Sequence, residues 1–297
     1  MSFRDGVVVG DVMLDVVVKP DIEIAPTSDT PSRVRLTRGG AAANVAEALA
    51  RAGHHVKYVG ACGDDPAAQL FEVTLRRAGV DVSLERVDEA TGVVVAVVDV
   101  TGQRAMMTDR GANSKLRLEH VLDILEGPFD HLHVSGYTLL DPLTADVGRG
   151  ALARANELGC STSVDVCSVA PLIATTPAVF MEVARGASML FANEEEAVAL
   201  SGGVDVDDAI DRLSREFIEV IVTRGEHGAR ARRDGVDYDV TTLSDEVVDT
   251  TGAGDAATGA YLAVRLRQGS VDEALEAAMS AASLVVKGLG SRGQSRL

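Results

Sequence analysis

The sequence is poor in cysteine and lacks the long apolar runs that mark membrane proteins. Its three cysteines, Cys62, Cys160 and Cys167, are odd in number and show no CxxC spacing, which argues against a disulfide framework and against a zinc site. Asp11 and Asp15 interrupt the apolar N-terminal stretch well before the ~20 residues that a membrane span needs. We therefore expect a cytoplasmic protein without a membrane partner, whose cysteines are small buried residues.

Basic residues are also scarce. The formal net charge is -17 and the pI is near 4.7, and no run of Lys or Arg offers a stripe for a phosphate backbone. We expect no nucleic-acid partner. An anionic ligand would have to bind against the negative potential of the protein, through aligned backbone amides or a bound cation.

What the sequence does contain is an alternation of valine-rich strands with alanine-rich helical segments, typical of parallel βαβ units. We predict an α/β fold: a three-layer α/β/α core whose mostly parallel sheet has helices on both faces. Beyond the first third of the chain, strands are expected near 130–135, 162–166, 188–192 and 218–223, and helices near 142–158, 194–201, 205–215, 255–267 and 271–286.

Two segments alternate apolar and polar residues without a helix and predict a small separate sheet, a β-lid. The resulting division is a core strand at 1–14, a lid hairpin at 15–38, core at 39–91, lid strands at 92–108, and core at 109–297. A sheet with an exposed apolar face needs a cover, which could be a ligand, a partner subunit or the core. A mobile lid over a site and an ordinary structural flap are equally compatible with the pattern.

Two glycine patterns resemble nucleotide loops without meeting their structural requirements. Gly288 to Gly293 reads GxGxxG, but the chain ends too soon for the helix and βαβ unit of a dinucleotide site. Gly252 to Ala257 reads GxGxxA, yet no acidic residue closes a second strand about 20 residues further on. NAD binding is therefore not favoured, and the absence of GxxxxGK[ST] excludes a P-loop enzyme.

The stretch DTTGAGDAATGAYL at 249–262 carries the strongest chemical signal. Small residues at Gly252, Ala253 and Gly254 let the unpaired amides at a helix start converge on a phosphate-sized anion. Asp255 would stand beside that anion, where it could take the proton of an attacking hydroxyl. The structural alternative makes Asp255 a helix N-cap and the glycines a simple turn.

This stretch, together with RGGAAANVA at 38–46, resembles the two signature motifs of the ribokinase-like (PfkB-type) family of small-molecule kinases. The resemblance covers essentially the whole chain. It implies phosphoryl transfer from ATP to an alcohol group of a sugar or sugar derivative. Asp255 would be the catalytic base, and the amides of 252–255 would stabilise the transferred phosphoryl group.

The resemblance also implies a nucleotide and metal site. Asn193 and Glu196 are similar to the family's NxxE, which organises Mg²⁺ and phosphate through water; the same spacing is also a helix capping box. Thr223, Gly225 and Gly228 follow a strand and resemble the family's nucleotide loop. Mg²⁺ would neutralise nucleotide phosphates that the acidic protein repels.

At the substrate end, the resemblance assigns hydroxyl binding to Asp15, to the backbone of Gly39 and Gly40, and to Asn44, with Asp11 assisting. Carboxylates and amides suit a polyol, because each hydroxyl both donates and accepts a hydrogen bond.

Departures from the family bear on specificity. Met13 and Ala41 replace an Asn and a Lys of ribokinases proper, so free ribose is not implied. Arg104 and Arg110, on or just after the second lid segment, could meet a phosphate or carboxylate on the substrate.

One expectation rests on the resemblance alone: backbone carbonyls near Asp249 and Thr251 would hold a monovalent cation such as K⁺. The exposed apolar face of the lid separately suggests a homodimer through the lid. A nucleoside kinase with the same machinery is one alternative to a sugar kinase. A catalytically inactive sugar-binding regulator on the same fold is another.

Overall fold

The computed structural model of the chain describes residues 5–98, 104–241 and 252–286. In these ranges the strands are β1 (Asp5–Val9), β2 (Met13–Pro20), β3 (Ser32–Gly39), β4 (His55–Cys62), β5 (Asp81–Arg86), β6 (Gly92–Val98), β7 (Arg104–Asp109), β8 (His131–Val134), β9 (Ser161–Asp165), β10 (Met189–Asn193), β11 (Glu219–Thr223), β12 (Ala229–Arg233) and β13 (Val236–Val240). The helices are α1 (Ala41–Arg51), α2 (Pro66–Arg77), α3 (Leu118–Leu125), α4 (Gly136–Leu140), α5 (Ala145–Glu157), α6 (Val169–Thr175), α7 (Pro177–Val183), α8 (Glu194–Ser201), α9 (Val206–Leu213), α10 (Ala253–Leu266) and α11 (Val271–Val286).

The larger sheet has nine strands in the order β13-β12-β11-β10-β9-β8-β1-β4-β5. The seven strands β11, β10, β9, β8, β1, β4 and β5 run parallel to one another. At the β11 edge, β12 pairs antiparallel with β11, and β13 pairs antiparallel with β12. Neighbouring residues of β1 point to opposite faces, because Val7 and Val9 belong to one buried apolar cluster and Val8 to another. Helices therefore cover both faces, which confirms the predicted mostly parallel α/β core.

The smaller sheet has the order β3-β2-β6-β7. Strand β2 pairs antiparallel with β3 and parallel with β6, and β6 pairs antiparallel with β7. This confirms the predicted separate sheet, although β2 begins at Met13, β3 ends at Gly39 and β7 ends at Asp109, slightly outside the expected segments 15–38 and 92–108. Residues 99–103 of the second segment lie outside the described residues.

The two faces of the smaller sheet differ in chemistry, because side chains alternate along each strand. The register places one lateral row on what we call the Asp15 face: Asp15, Thr37, Val94 and Thr108. The next row lies on the opposite face, which we call the Leu36 face: Val16, Leu36, Val95 and Met107. Leu36 and Met107 are 59% and 55% exposed, so the Leu36 face presents apolar side chains to solvent.

Several elements are not expected from the sequence. Strand β12 alternates alanines with arginines and β13 alternates apolar residues with aspartates, and their ion pairs include Arg232 with Asp237 at 2.6 Å. Helices α6 and α7 occupy a segment for which the sequence predicts neither helix nor strand. The three cysteines of the chain are free thiols, and no described helix has the length and apolarity to cross a bilayer.

Candidate active site

Helix α10 begins in the glycine-rich stretch. Gly252 is its N-cap residue with φ 78°, a left-handed conformation that favours glycine, and no side chain caps the helix. A Cβ added to Gly254 would meet no atom within 4 Å, so the first turn is open on that side. The start of α10 therefore offers backbone N–H groups to a ligand without steric obstruction.

Asp255 occupies the third position of α10, so it is not the N-cap residue that the structural alternative required. Its Oδ2 accepts a hydrogen bond of 2.7 Å from Asn44 Nδ2. Asn44 Oδ1 accepts in turn from Arg38 Nη1 at 3.1 Å, and Arg38 is ion-paired with Glu47. These contacts from α1 fix the orientation of the carboxylate. The Asn44 side chain is thus hydrogen-bonded to Asp255.

The protonation of Asp255 is shifted by its surroundings. Burial raises the pKa of Asp255 to about 6, the hydrogen bond from Asn44 opposes the increase, and the charge of Asp165 adds to it. A carboxylate with such a pKa is a stronger base than an exposed one and is still largely ionised at neutral pH.

A cavity of about 250 Å³ lies beside Asp255 at the carboxyl ends of the central strands. Its walls bring together six of the residues predicted from the motifs: Gly252, Gly254, Asp255, Asn193, Glu196 and Thr223. The carboxyl ends of parallel strands are where α/β folds bind ligands. Asp165 and Cys167 also line the cavity, and no motif pointed to either.

Asn193 and Glu196 form a capping box at the start of α8. Asn193 Oδ1 accepts from the Glu196 amide at 2.8 Å, and Glu196 Oε2 accepts from the Asn193 amide at 2.9 Å. Burial raises the pKa of Glu196 to about 7, and the charges of Asp165 and Asp255 add to the effect of burial. The structural interpretation of this motif is thus correct, and Glu196 still faces the cavity.

The cavity wall is acidic. Asp165, Glu196 and Asp255 line it, and none of the lining residues in the described part of the chain is a lysine or arginine. Oxygen ligands of this kind suit Mg²⁺, which is usually bound through one or two carboxylates and its own waters. The residues present therefore fit a magnesium ion carried in with a nucleotide.

Thr223 ends β11 next to Asn193 on β10, with which it is paired in register. Gly225 and Gly228 follow in a short 3-10 turn, with φ 55° and 83°. A Cβ at Gly228 would lie 1.9 Å from the Val240 carbonyl oxygen, whereas one at Gly225 would meet nothing within 4 Å. Gly228 is thus required by packing against β13, while Gly225 leaves open space.

At the substrate end, the lid strands leave the core beside Asp11. Asp11 Oδ1 accepts from Arg110 Nη2 at 2.9 Å, and Arg110 also contacts Asp141 Oδ2 at 2.7 Å through Nε. Burial raises the pKa of Asp11 to about 6, and Arg110 counteracts it. Asp141 belongs to no recognisable motif, so it could not be identified from the sequence.

Gly39 leaves room for the Asp15 side chain within the smaller sheet, and Gly40, just before α1, allows close approach to the segment that follows β1. A Cβ at Gly39 would lie 2.0 Å from Asp15 Oδ1, and one at Gly40 would lie 2.4 Å from the Asp11 carbonyl oxygen. The Tyr58 hydroxyl donates a hydrogen bond of 2.6 Å to the Asp11 carbonyl oxygen. Asp249 and Thr251, the expected ligands of a monovalent cation, lie outside the described residues.

Comparison with known proteins agrees with this geometry. The sequence profile of the pfkB family carbohydrate kinases matches residues 4–296. The ATP-dependent ribose-1-phosphate kinase of Halopiger xanaduensis is 32% identical over 291 residues, covering 95% of this chain and 92% of that protein.

Two solved structures are similar over nearly the whole chain. Adenosine kinase from Sinorhizobium meliloti superimposes with a TM-score of 0.88 at 25% identity, covering 98% of this chain and 96% of that one. A putative ribokinase II from E. coli, in complex with ATP and Mg²⁺, gives a TM-score of 0.88 at 25% identity, with 99% and 96% covered.

The raised pKa of Asp255 predicts a pH-dependent stability. Since the folded-state pKa of about 6 lies above the ordinary aspartate value of 3.8, the ionised side chain destabilises the fold above pH 6, and this cost disappears below about pH 4. Asp255→Asn should therefore raise the free energy of unfolding by about 1–2 kcal/mol at pH 8 and change it little at pH 4. Urea unfolding at both pH values measures this, with Asp123→Asn on the exposed side of α3 as control. Equal effects at the two pH values would contradict the shift.

Proposed function

The chain belongs to the pfkB family of carbohydrate kinases, and from that premise we propose how its residues carry out the reaction. It is an ATP-dependent carbohydrate kinase, an enzyme that transfers the γ-phosphoryl group of ATP to a hydroxyl group of a sugar. The position of Asp255, third in α10 and bonded through Oδ2 to Asn44 at 2.7 Å, is the observation that carries the mechanism.

Asp255 acts as the base in this mechanism. The bond from Asn44 occupies Oδ2, so Oδ1 can accept the proton of the acceptor hydroxyl. As the acceptor oxygen forms its bond to the γ-phosphorus, the bond from that phosphorus to the β,γ-bridging oxygen breaks and ADP leaves. The backbone amides of 252–255 stabilise the charge on the transferred group, because they already point outward from the helix start.

The nucleotide occupies the cavity between β10, β11 and α10. Asn193, Thr223, Gly225 and Gly228 would contact its phosphates, and Glu196 and Asn193 would hold Mg²⁺ through water. When bound, Mg²⁺ neutralises the phosphate oxygens that this acidic wall would repel. The high pKa of Glu196 fits this role, since a nearby cation would favour its ionised form.

A monovalent cation such as K⁺ is proposed beside the anion site, at the carbonyls of Asp249 and Thr251. Comparing the rate in KCl with that in choline chloride tests it. Because the reaction consumes ATP, we place the enzyme in the cytoplasm.

The acceptor is proposed to be a phosphorylated pentose such as ribose 1-phosphate, held by Asp15, Asp11, Gly39, Gly40 and Asn44. Support comes from the relative of that activity, which is 32% identical across nearly the full length of both chains. A second support is Arg35, which lies on the Asp15 face of the smaller sheet, one row beyond Asp15, opposite Val17.

Arg35 differs from the arginines beside it. Arg33 is within 3.5 Å of Asp21, and the buried Arg38 is paired with Glu47. Within the described part of the chain, no carboxylate lies at ion-pair distance from the half-buried Arg35. In a protein of net charge -17, an arginine without such a partner on the substrate side suits the phosphate of the acceptor.

The apolar Leu36 face is proposed to contact a second copy of the chain. Val34 and Leu36 on β3 and Met107 on β7 are each more than half exposed there, and apolar side chains arranged in a sheet are stabilised by a cover. We predict a dimer in sedimentation velocity at micromolar concentration, which Leu36→Lys converts to monomer. A monomeric parent protein would contradict this interface.

The catalytic assignment predicts that Asp255→Asn lowers kcat by at least about 10³-fold, since the base is lost. ATP binding should survive, because the Asn side chain leaves the helix start intact; ADP release and nucleotide titration measure the two effects. Unchanged turnover would defeat the assignment.

A substrate panel separates the alternatives. Ribose, ribose 1-phosphate, fructose, 2-keto-3-deoxygluconate, adenosine and inosine are each offered with ATP and Mg²⁺. Turnover of nucleosides alone would indicate a nucleoside kinase, and no ATP consumption with any acceptor would indicate an inactive sugar-binding regulator.

The acceptor assignment predicts that Arg35→Gln raises KM for ribose 1-phosphate about tenfold, the loss of roughly one charge-assisted hydrogen bond. KM for ATP should not change. Arg77→Gln, which removes an exposed arginine from α2, is the matched control. An equal effect of both variants would mean that Arg35 acts only through the overall charge.

A further inference from the structure

One buried side chain, that of Asn113, holds the base of the smaller sheet. Asn113 is 2% exposed and lies in the short 3-10 turn Gly111–Lys115 that follows β7. Its Oδ1 accepts a hydrogen bond of 2.7 Å from the Val12 amide, and its Nδ2 donates to the Val12 carbonyl oxygen at 2.9 Å. The side-chain amide of Asn113 therefore bonds both backbone groups of Val12, as a residue on a neighbouring antiparallel strand would.

The same side chain contacts two further strands of the smaller sheet. Asn113 Nδ2 donates a second hydrogen bond, of 2.8 Å, to the carbonyl oxygen of Arg110, the residue after β7. Gly92, the first residue of β6, is so close that an added Cβ would lie 2.5 Å from Asn113 Nδ2. Asn113 Nδ2 also lies 3.2 Å from the sulfur of Met13, the first residue of β2. Three of the four strands of this sheet thus meet at Asn113.

The Arg110 side chain joins the same place to the core. Its Nη2 and Nη1 lie 2.9 Å and 2.7 Å from the two carboxylate oxygens of Asp11, in the segment that follows β1. Its Nε lies 2.7 Å from Asp141 Oδ2, just after α4. We call residues 110–113 the lid clip, because this segment fastens three lid strands to one another and to two loops of the core.

We propose that Asn113 is a positioning residue of the acceptor site, because it fixes the base of the strand that carries Asp15. Asp15 lies on β2, three residues after Val12. Met13, between them, pairs with Gly39 on β3, so a shift at the base would move both groups that hold the acceptor. With the lid clip in place, the acceptor meets groups that are already ordered, and binding does not lose the entropy of ordering them. This role rests on the proposed function, in which Asp15 and Gly39 bind the acceptor.

A purely structural role for Asn113 makes a different prediction. Buried polar groups need partners wherever they occur, so loss of these hydrogen bonds lowers the free energy of unfolding in either case. If Asn113 only stabilises the fold, the molecules that remain folded bind the acceptor as well as the parent does. If Asn113 positions the lid, folded molecules bind the acceptor more weakly. KM for the acceptor separates the two roles.

The first experiment compares the kinetics of Asn113→Ala with those of the parent, using the acceptor of the substrate panel that the parent turns over. KM for that acceptor should rise about tenfold, which corresponds to ordering about one residue. KM for ATP should not change, since the described residues that line the nucleotide cavity belong to other parts of the chain. Thr162→Val, which removes a fully buried hydroxyl near the start of β9, is the control for lost stability.

Gly92→Ala tests the lid clip without removing a polar group. The new Cβ would lie 2.5 Å from Asn113 Nδ2 and 2.6 Å from Met13 Sδ, so these side chains must shift. KM for the acceptor should rise as it does in Asn113→Ala. Gly6→Ala on β1, whose Cβ would meet its nearest neighbour, Leu49 Cδ1, at 4.0 Å, is the matched control. Neither glycine has a positive φ, so the two substitutions differ in available space.

An unchanged KM for the acceptor in both variants would overturn the positioning role, even if both are less stable than the parent. If Asn113→Ala does not fold, Gly92→Ala decides by the same criterion. Failure of the proposed function has a different signature: the parent itself would then turn over no acceptor of the panel, and the positioning role would fail with it.

The second experiment tests the lid clip without an acceptor. Hydrogen exchange of the full chain is followed by mass spectrometry in the parent, in Asn113→Ala and in Gly92→Ala. Peptides from β2, β6 and β7 should all exchange faster in the variants, because the three strands share one anchor, whereas peptides from β11 should not change. Faster exchange confined to the turn Gly111–Lys115 would show that Asn113 holds only its own turn, and would overturn the proposal.

Discussion

The hydrogen bond from Asn44 to Asp255 joins residues 211 positions apart, and the geometry of the active site depends on it. Asn44 reaches the carboxylate because helices α1 and α10 approach closely. A Cβ at Gly259 on α10 would lie 2.4 Å from Ala48 Cβ on α1, and one at Gly10 would lie 2.3 Å from Ala42 Cβ. The small alanines of α1 are thus required by the short distance between α1 and its neighbours, as well as favoured by helix propensity. Larger side chains would move α1 away from α10 and leave Asp255 without its hydrogen-bond donor.

A site residue can be predicted from the sequence when it belongs to a short motif, and not when its role depends on partners that are distant along the chain. Asp255 and Glu196 stand in motifs whose spacing reflects a helix start, so their meeting at one cavity could be expected from parallel strands ending at a common edge. Asp165 and Asp141 could not be found in this way. Their partners His133 and Arg110 are roughly thirty residues away, and the contacts arise only from strand order and register.

The strength of the local apolar pattern also decides which strands and helices could be predicted. The core strands and the helices α9 and α11 have apolar periods that the sequence displays openly. In β12 and β13 the residues that pack on the core are few and are separated by arginines and aspartates, such as the paired Arg232 and Asp237, so the apolar signal of these strands is weaker. His131 and His133 lie on β8 and are fully buried. Their contacts are with serines and a carboxylate, and no group of three or more metal-ligating side chains was found in the described ranges.

The acidic composition means that a nucleotide must bind against repulsion from carboxylates, and the arginines near the site do not remove this repulsion. Arg38 and Arg110 are held by Glu47 and Asp11, so these cations orient carboxylates instead of facing the nucleotide. The cavity wall then keeps several carboxylates close together, at a cost visible in the raised pKa values of Asp255 and Glu196. Binding of a nucleotide with its metal would relieve part of that cost, because a divalent cation stabilises the ionised forms.

The smaller sheet shows how one structural element can serve two purposes. Because side chains alternate with a period of two, Asp15 and Arg35 lie on one face, which also carries the exposed Met106, while Val34, Leu36 and Met107 lie on the other. A cover on the Leu36 face would restrict motion of strands that also carry Asp15 and Arg35. Any partner bound there would therefore reduce the conformational entropy lost when the acceptor binds, and acceptor affinity would increase without a new contact to the substrate.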